Sequence, residues 1–183
     1  MTPGEKYYSL RRTIPSDITI VLAAKTRTSD EIKDVISAGA TDIGYNYVQE
    51  ADIMHQALGE QAKLVNWHMI GHLQTNKINR AIEIFDSFQT IDSVERAAAL
   101  NARILSARKG PFPVLLEINI ASEPAKKGFP PIIDHIDDSI HRISLMPGLI
   151  LQGLMTMGPS DCDGPALRPW FKKSKKLFDE INN

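Results

Sequence analysis

The chain has 183 residues, 43% of them hydrophobic, a formal net charge of −1 and a sequence pI near 6.5. That balance gives no general attraction to nucleic acid or to an anionic membrane. One cysteine, Cys162, cannot close an internal disulfide, and no secretory h-region or membrane-spanning apolar run occurs, so a cytoplasmic location and a single domain over residues 1–183 are expected.

Residues 1–17 are polar, carry Pro3 and Pro15, and read as a lead-in with helical character around Tyr7 to Arg12. The stretch that follows, Ile18-Thr-Ile-Val-Leu-Ala-Ala-Lys25, predicts a buried first strand over Thr19–Ala24 that stops at one lysine. Its carboxyl end is where α/β proteins gather ligands. A lysine there can form an imine with an aldehyde if apolar surroundings leave some of the amine neutral. The ordinary reading is a strand-end lysine that snorkels into water.

A repeating pattern then runs down the chain. Thr28-x-x-Glu31 resembles a capping box for a helix from Asp30 to a stop at Gly39. Further strands are predicted at Asp42–Gly44, Leu64–Ile70, Ser87–Ile91, Val114–Ile120 and Leu149–Met155. Between them come helices over Asn46–Leu58, Asn76–Phe85, Ser93 to about Arg108, and within Pro130–Leu145, with a last one over Ala166–Ile181. In this last helix Trp170, Phe171, Leu177, Phe178 and Ile181 form an apolar stripe, which places Lys172, Lys173, Lys175 and Lys176 on a solvated face.

Six strands alternating with helices give an α/β fold with a parallel sheet and right-handed crossovers. No G-x-G-x-x-G or G-x-x-x-x-G-K-[ST] occurs, which favours a TIM (β/α)8-type barrel over an open nucleotide-binding sheet. A closed barrel needs eight units. The expectation is therefore an incomplete barrel with only six βα units, lacking about 60 residues at roughly 30 per unit. Its first and sixth strands would expose apolar edges able to recruit other chains.

Candidate residues collect at strand ends. Asn46, in Gly44-Tyr-Asn-Tyr-Val-Gln-Glu50, can aim an amide into a barrel mouth or simply cap a helix. Trp67-His-Met-Ile-Gly-His-Leu-Gln-Thr-Asn-Lys77 is a strand, a glycine and a polar loop. His68 and His72 straddle the strand end without H-E-x-x-H, so no metal site is expected. Asn119 and Met155-Thr156 end the fifth and sixth strands, with core packing and loop hydrogen bonding as the ordinary alternatives.

Taken together, Ala24-Lys25-Thr26, the two runs just quoted, Asn119-Ile120 with Lys126-x-Gly-Phe129, and Gly153-Leu-Met-Thr-Met157 resemble the pyridoxal 5'-phosphate homeostasis protein family, related to the amino-terminal barrel of alanine racemase. The resemblance implies a Schiff-base Lys25 and a cofactor cavity lined by Asn46, His68, Asn119 and Met155. Two departures stand out. Tyr45 replaces the acid of the family's Gly-Glu-Asn, and the family's later Ser-x-Gly-Met-Ser strand and Gly-rich, arginine-bearing strand, which hold the phosphate, have no counterpart here. The resemblance implies a carrier that binds pyridoxal phosphate without catalytic turnover and gives it up to amino acids or apoenzymes by transimination, weakened by truncation. The alternative it leaves is an amino-acid racemase, which needs a second acid/base opposite the lysine.

Overall fold

The computed structural model describes residues 1–182, which form two compact units, Met1–Ser87 and a second from Phe88 onward. In the first unit, α1 (Pro3–Arg11), β1 (Leu22–Ala23), α2 (Ser29–Ser37), β2 (Asp42–Tyr45), α3 (Val48–Leu58), β3 (Asn66–Met69) and α4 (Ile78–Ile84) follow in order. Strand β2 pairs in parallel with β1 on one side and with β3 on the other.

Residues 1–17 are more ordered than their polar composition suggests. Thr2 caps α1 in a reciprocal box with Glu5, and Pro3 occupies the first turn, where its missing N–H costs nothing. The helix therefore begins at Pro3 rather than near Tyr7. Gly4 N–H donates to the Asp34 carboxylate at 2.8 Å, and Tyr7 packs with Val35 and Ala40 while its hydroxyl donates to Gly39 O at 3.3 Å. Arg11 then donates to Ile14 O and Ile18 O at 2.7 Å each. These bonds hold the segment before β1 in a non-sheet path, so the strand is only Leu22–Ala23. It is also not buried: Leu22 is half-buried and Ala23 exposed, because β2 is the one strand paired with β1 among the described residues.

Helix α2 carries the predicted capping box, with Thr28 Oγ1 accepting from Glu31 N–H and the Glu31 carboxylate accepting from Thr28 N–H. Strand β2 is buried throughout, and Ile43, Ala51, Trp67, Met69, Ile78 and Ala81 form the centre of the unit's core.

The second unit carries β4 (Ser87–Ile91, its first residue in the first unit), α5 (Val94–Ser106), β5 (Phe112–Ile118), α6 (Ile133–Ser144), β6 (Leu149–Thr156) and α7 (Gly164–Ile181). Strands β4, β5 and β6 pair in parallel, with a register shift in the β5–β6 ladder. Leu100, Ile104, Leu116, Ile136 and Ile143 are fully enclosed. The stripe on α7 departs from expectation: only Leu177 is buried, while Phe171 and Phe178 remain exposed, because α7 packs mainly on α6 and β6. Within each unit the strand pairs are parallel, and a helix follows each strand. The fold is α/β of the TIM (β/α)8-barrel type, with six βα units among the described residues.

Candidate functional site

Lys25 stands just past β1. Ala24 is buried and its N–H donates to Gly44 O at 2.9 Å, which ties the strand end to β2. Arg27 N–H donates back to Ala24 O at 3.2 Å, closing a tight turn with Lys25 and Thr26 in the middle. Thr26 has φ 63°, a left-handed conformation that a β-branched residue rarely adopts. The turn lifts Lys25 out of the sheet. Its side chain is exposed, and its ammonium has no hydrogen bond or ion pair among the described residues. The apolar enclosure expected around this lysine is not formed, since β1 is too short to supply it.

Asn46 follows β2 and meets the loop after β3. A Cβ on Gly71 would lie 2.3 Å from Asn46 O, so only glycine lets these two loops approach. Between them is a cavity of about 160 Å³ lined by Asn46, Gln49, Gly71, His72, Gln74 and Lys77, over an apolar floor that includes Met69. The Asn46 amide is half-buried and has no partner among the described residues.

His68 sits in a polar chain. Its Nε2 is 2.8 Å from the Asp42 carboxylate and its Nδ1 2.7 Å from Ser87 Oγ. Asp42 also accepts from Asn66 Nδ2 at 3.0 Å and from Thr41 Oγ1 at 2.6 Å. Desolvation pushes the Asp42 carboxyl up, but the hydrogen bonds from Thr41, His68 and Asn66 outweigh it and leave the group below its ordinary range. An ionised carboxylate only accepts, so Nε2 carries a hydrogen, and in the neutral ring Nδ1 accepts from the Ser87 hydroxyl. Both ring nitrogens are thus engaged. Sequence reasoning passed over Asp42, Asn66 and Ser87. The available signal was a polar residue heading each of three apolar strands.

Tyr45 is 2% exposed and stacks on Trp67 with ring centroids 5.7 Å apart. The indole N–H of Trp67 donates to Ala62 O at 2.9 Å, and His55 of α3 packs on its ring, so Tyr45 faces the helix layer. Burial, then the charge of Glu50, pushes the Tyr45 hydroxyl up to about 12.

In the second unit, Asn119 lies just beyond β5. Its Nδ2 donates to Glu123 O at 2.8 Å and Lys126 O at 3.3 Å, and its Oδ1 accepts from Glu123 N–H at 3.0 Å. The amide is therefore committed to its own loop. Lys126 donates to Gly158 O at 2.9 Å and pairs with Glu123 at 2.7 Å. Gly128, at φ 109°, lets the loop return beside β5, where Phe129 N–H reaches Glu117 O at 2.8 Å. Met155 lies in β6 opposite Glu117 and is half-buried. Burial, then the Asp92 charge, raises the Glu117 carboxyl.

The family model for the alanine racemase N-terminal domain matches residues 7–182. A pyridoxal phosphate homeostasis protein of Haemophilus influenzae is 34% identical over 165 residues, 90% of this chain and 68% of that protein. The protein of the same name from Buchnera aphidicola is 36% identical over 177 residues, 96% of this chain and 76% of the relative. The chain belongs to the pyridoxal phosphate homeostasis protein family. Among solved structures, PipY of Synechococcus elongatus without PLP aligns with a TM-score of 0.90 at 24% identity, covering 99% of this chain and 82% of that one. PipY with PLP bound gives 0.86 at 23% identity with the same coverage, and alanine racemase of Clostridium difficile gives 0.76 at 13% over 98% of this chain and 45% of that one. At these identities the likeness defines the family's fold and leaves the chemistry to the residues present. No helix of the described residues is long and apolar enough to cross a membrane.

Proposed function

We propose that this chain binds pyridoxal 5'-phosphate and serves its homeostasis as a carrier, with Lys25 as the amine that holds the cofactor covalently and yields it to incoming amines. One observation carries the reading: in a member of this family, the lysine at the carboxyl end of β1 is exposed in a tight turn with its ammonium unengaged. The residues present fit the aldehyde end of the group. An available primary amine answers its aldehyde, and the unpartnered Asn46 amide can meet a polar substituent.

When bound, the cofactor supplies an aldehyde that condenses reversibly with primary amines. Lys25 must shed a proton before its nitrogen can attack, and at an exposed position bulk water takes that proton. The same exposure lets amino acids or apoenzyme lysines reach the carbon that Lys25 would hold, which suits release over sequestration. His68 would contribute its ring, fixed by Asp42 and Ser87, and Asn119 would contribute through the loop its amide holds. Met155 would offer a half-buried apolar surface at the end of β6. Catalytic turnover is not part of the proposal, because racemisation needs a second acid/base and Tyr45 is committed to the helix layer. A cytoplasmic setting, where free vitamers and apoenzymes meet, completes the reading.

The test is borohydride reduction of the protein incubated with pyridoxal 5'-phosphate, followed by peptide mass mapping. The modification is expected on the peptide containing Lys25 and absent in Lys25→Ala. Finding it instead on Lys77 or Lys126 overturns the assignment.

A further inference from the structure

We propose that the cavity between the loops after β2 and β3 is a binding site for a phosphate group. The cavity, about 160 Å³, lies below the roughly 300–1,000 Å³ of sites for drug-sized ligands and suits an ion or a small terminal group. Its lining decides the sign of the ligand. Lys77 is half-buried at its edge, and its ammonium has no hydrogen bond or ion pair among the described residues. No Asp or Glu side chain lines the cavity. The amides of Asn46, Gln49 and Gln74 in the lining can donate hydrogen bonds, and none of the three has a partner among the described residues.

An unpaired lysine within a ring of donors is complementary to an oxyanion, and a compact ammonium is a common partner for phosphate. Gly71 makes the cavity possible: a side chain there would drive into the Asn46 backbone at 2.3 Å and push the two loops apart. Lys25 lines no part of this cavity, and Asn46 is the one residue it shares with the carrier reading, so phosphate binding here does not require the covalent role of Lys25. Two sources share the chemistry, free inorganic phosphate and the phosphate of a phosphorylated small molecule.

The experiment is a titration of the full chain with inorganic phosphate, followed by amide chemical shifts of Gly71, His72 and Lys77 and repeated on three variants. Lys77→Met, which keeps the stem and removes the charge, should weaken binding at least tenfold; Lys77→Arg should stay within about threefold; Lys25→Ala should be unchanged. Pyridoxal 5'-phosphate added to Lys25→Ala separates the sources. Shifts in the same amides mean that the site accepts an esterified phosphate, and their absence with inorganic phosphate still binding assigns it to the free ion. Binding by neither, or equal binding in Lys77→Met with a native spectrum, overturns the proposal. If Lys25→Ala abolishes phosphate binding while Lys77→Met retains it, the two sites are one and the proposal fails, whereas loss of the borohydride-trapped species alone bears only on the carrier reading.

Discussion

Asp42 offers the sharpest test of how the first unit is held together. Its carboxylate is nearly buried and accepts hydrogen bonds from Thr41, Asn66 and His68 at 2.6, 3.0 and 2.8 Å. A hydrogen bond to a charged group contributes about 1.5–3 kcal/mol, and removing one partner of a buried pair costs about 3–5 kcal/mol because the other partner is left unsatisfied. Asp42→Ala should therefore destabilise by about 3–5 kcal/mol, or a fall in Tm of about 6–20 °C at 2–4 °C per kcal/mol. Asp42→Asn keeps the shape and should lose about half as much. The wild type should show a further signature. Because the folded-state carboxyl is held below its unfolded value, its contribution is complete above about pH 4 and disappears as pH falls through the folded value. Asp42→Asn should lack that acid limb. Asp52, paired with Arg80 at a more exposed position, is the control, and Asp52→Ala should cost about 0–1 kcal/mol. Urea unfolding followed by circular dichroism between pH 3 and 7 measures both. If Asp42→Ala costs no more than Asp52→Ala, the polar chain through His68 contributes nothing and its assignment as a fixed support is wrong.

Other consequences are simpler to check. Tyr45→Phe removes a buried hydroxyl with no partner and should be neutral or stabilising by up to about 1 kcal/mol; in the wild type, ultraviolet titration should find one tyrosine still protonated at pH 11. Asn119→Ala should deprotect the 119–126 backbone to hydrogen exchange by at least about tenfold while leaving β5 protected, since the bonds lost belong to the loop. Thr2→Ala should cost about 0.5–2 kcal/mol through the α1 cap, visible as earlier exchange in residues 3–11; no change would mean that α1 is held by Gly4 and Tyr7 alone. In deuterated water with pyridoxal 5'-phosphate, the chain should not exchange the α-proton of alanine faster than the free cofactor does, and turnover of about 1 per second or more would establish a racemase.

The order of strands and helices was legible because apolar runs, Gly-Pro stops and capping residues agree locally. Strand β4 falls on Ser87–Ile91, as its pattern predicts, and α2 begins at its Thr28-x-x-Glu31 box. The same signal at Thr2-x-x-Glu5 is masked by Pro3 and by the polarity of its surroundings, so periodicity alone starts α1 too late. Periodicity overextends β1 because it sees an apolar run and not the Arg11 side chain occupying Ile14 O and Ile18 O. Lys25 and Asn46 could be singled out from their positions at strand ends. The chain from Asp42 through His68 to Ser87 could not, since it joins residues 19 and 26 positions apart whose proximity depends on strand register.

The turn that holds Lys25 connects these levels. A buried strand end would give the lysine an apolar wall and hide it from other amines. Here β1 is two residues long, Ala24 anchors it to Gly44, and the chain reverses at once through Thr26 in a left-handed conformation. A threonine in that conformation holds backbone strain on the order of 1–3 kcal/mol, which the surrounding bonds must outweigh. Those bonds are present on both sides: Ala24 to Gly44 before the turn, and the Thr28–Glu31 box after it. The backbone beneath Lys25 is therefore fixed while its side chain is free, a division that suits the proposed exchange of partners at this lysine. Thr26→Gly separates the two properties. It should relieve the strain without moving the ammonium into an apolar setting, so trapping at Lys25 should persist in reduction experiments. If trapping is lost while α2 remains protected, the strained turn itself directs the lysine, and exposure alone does not account for its reactivity.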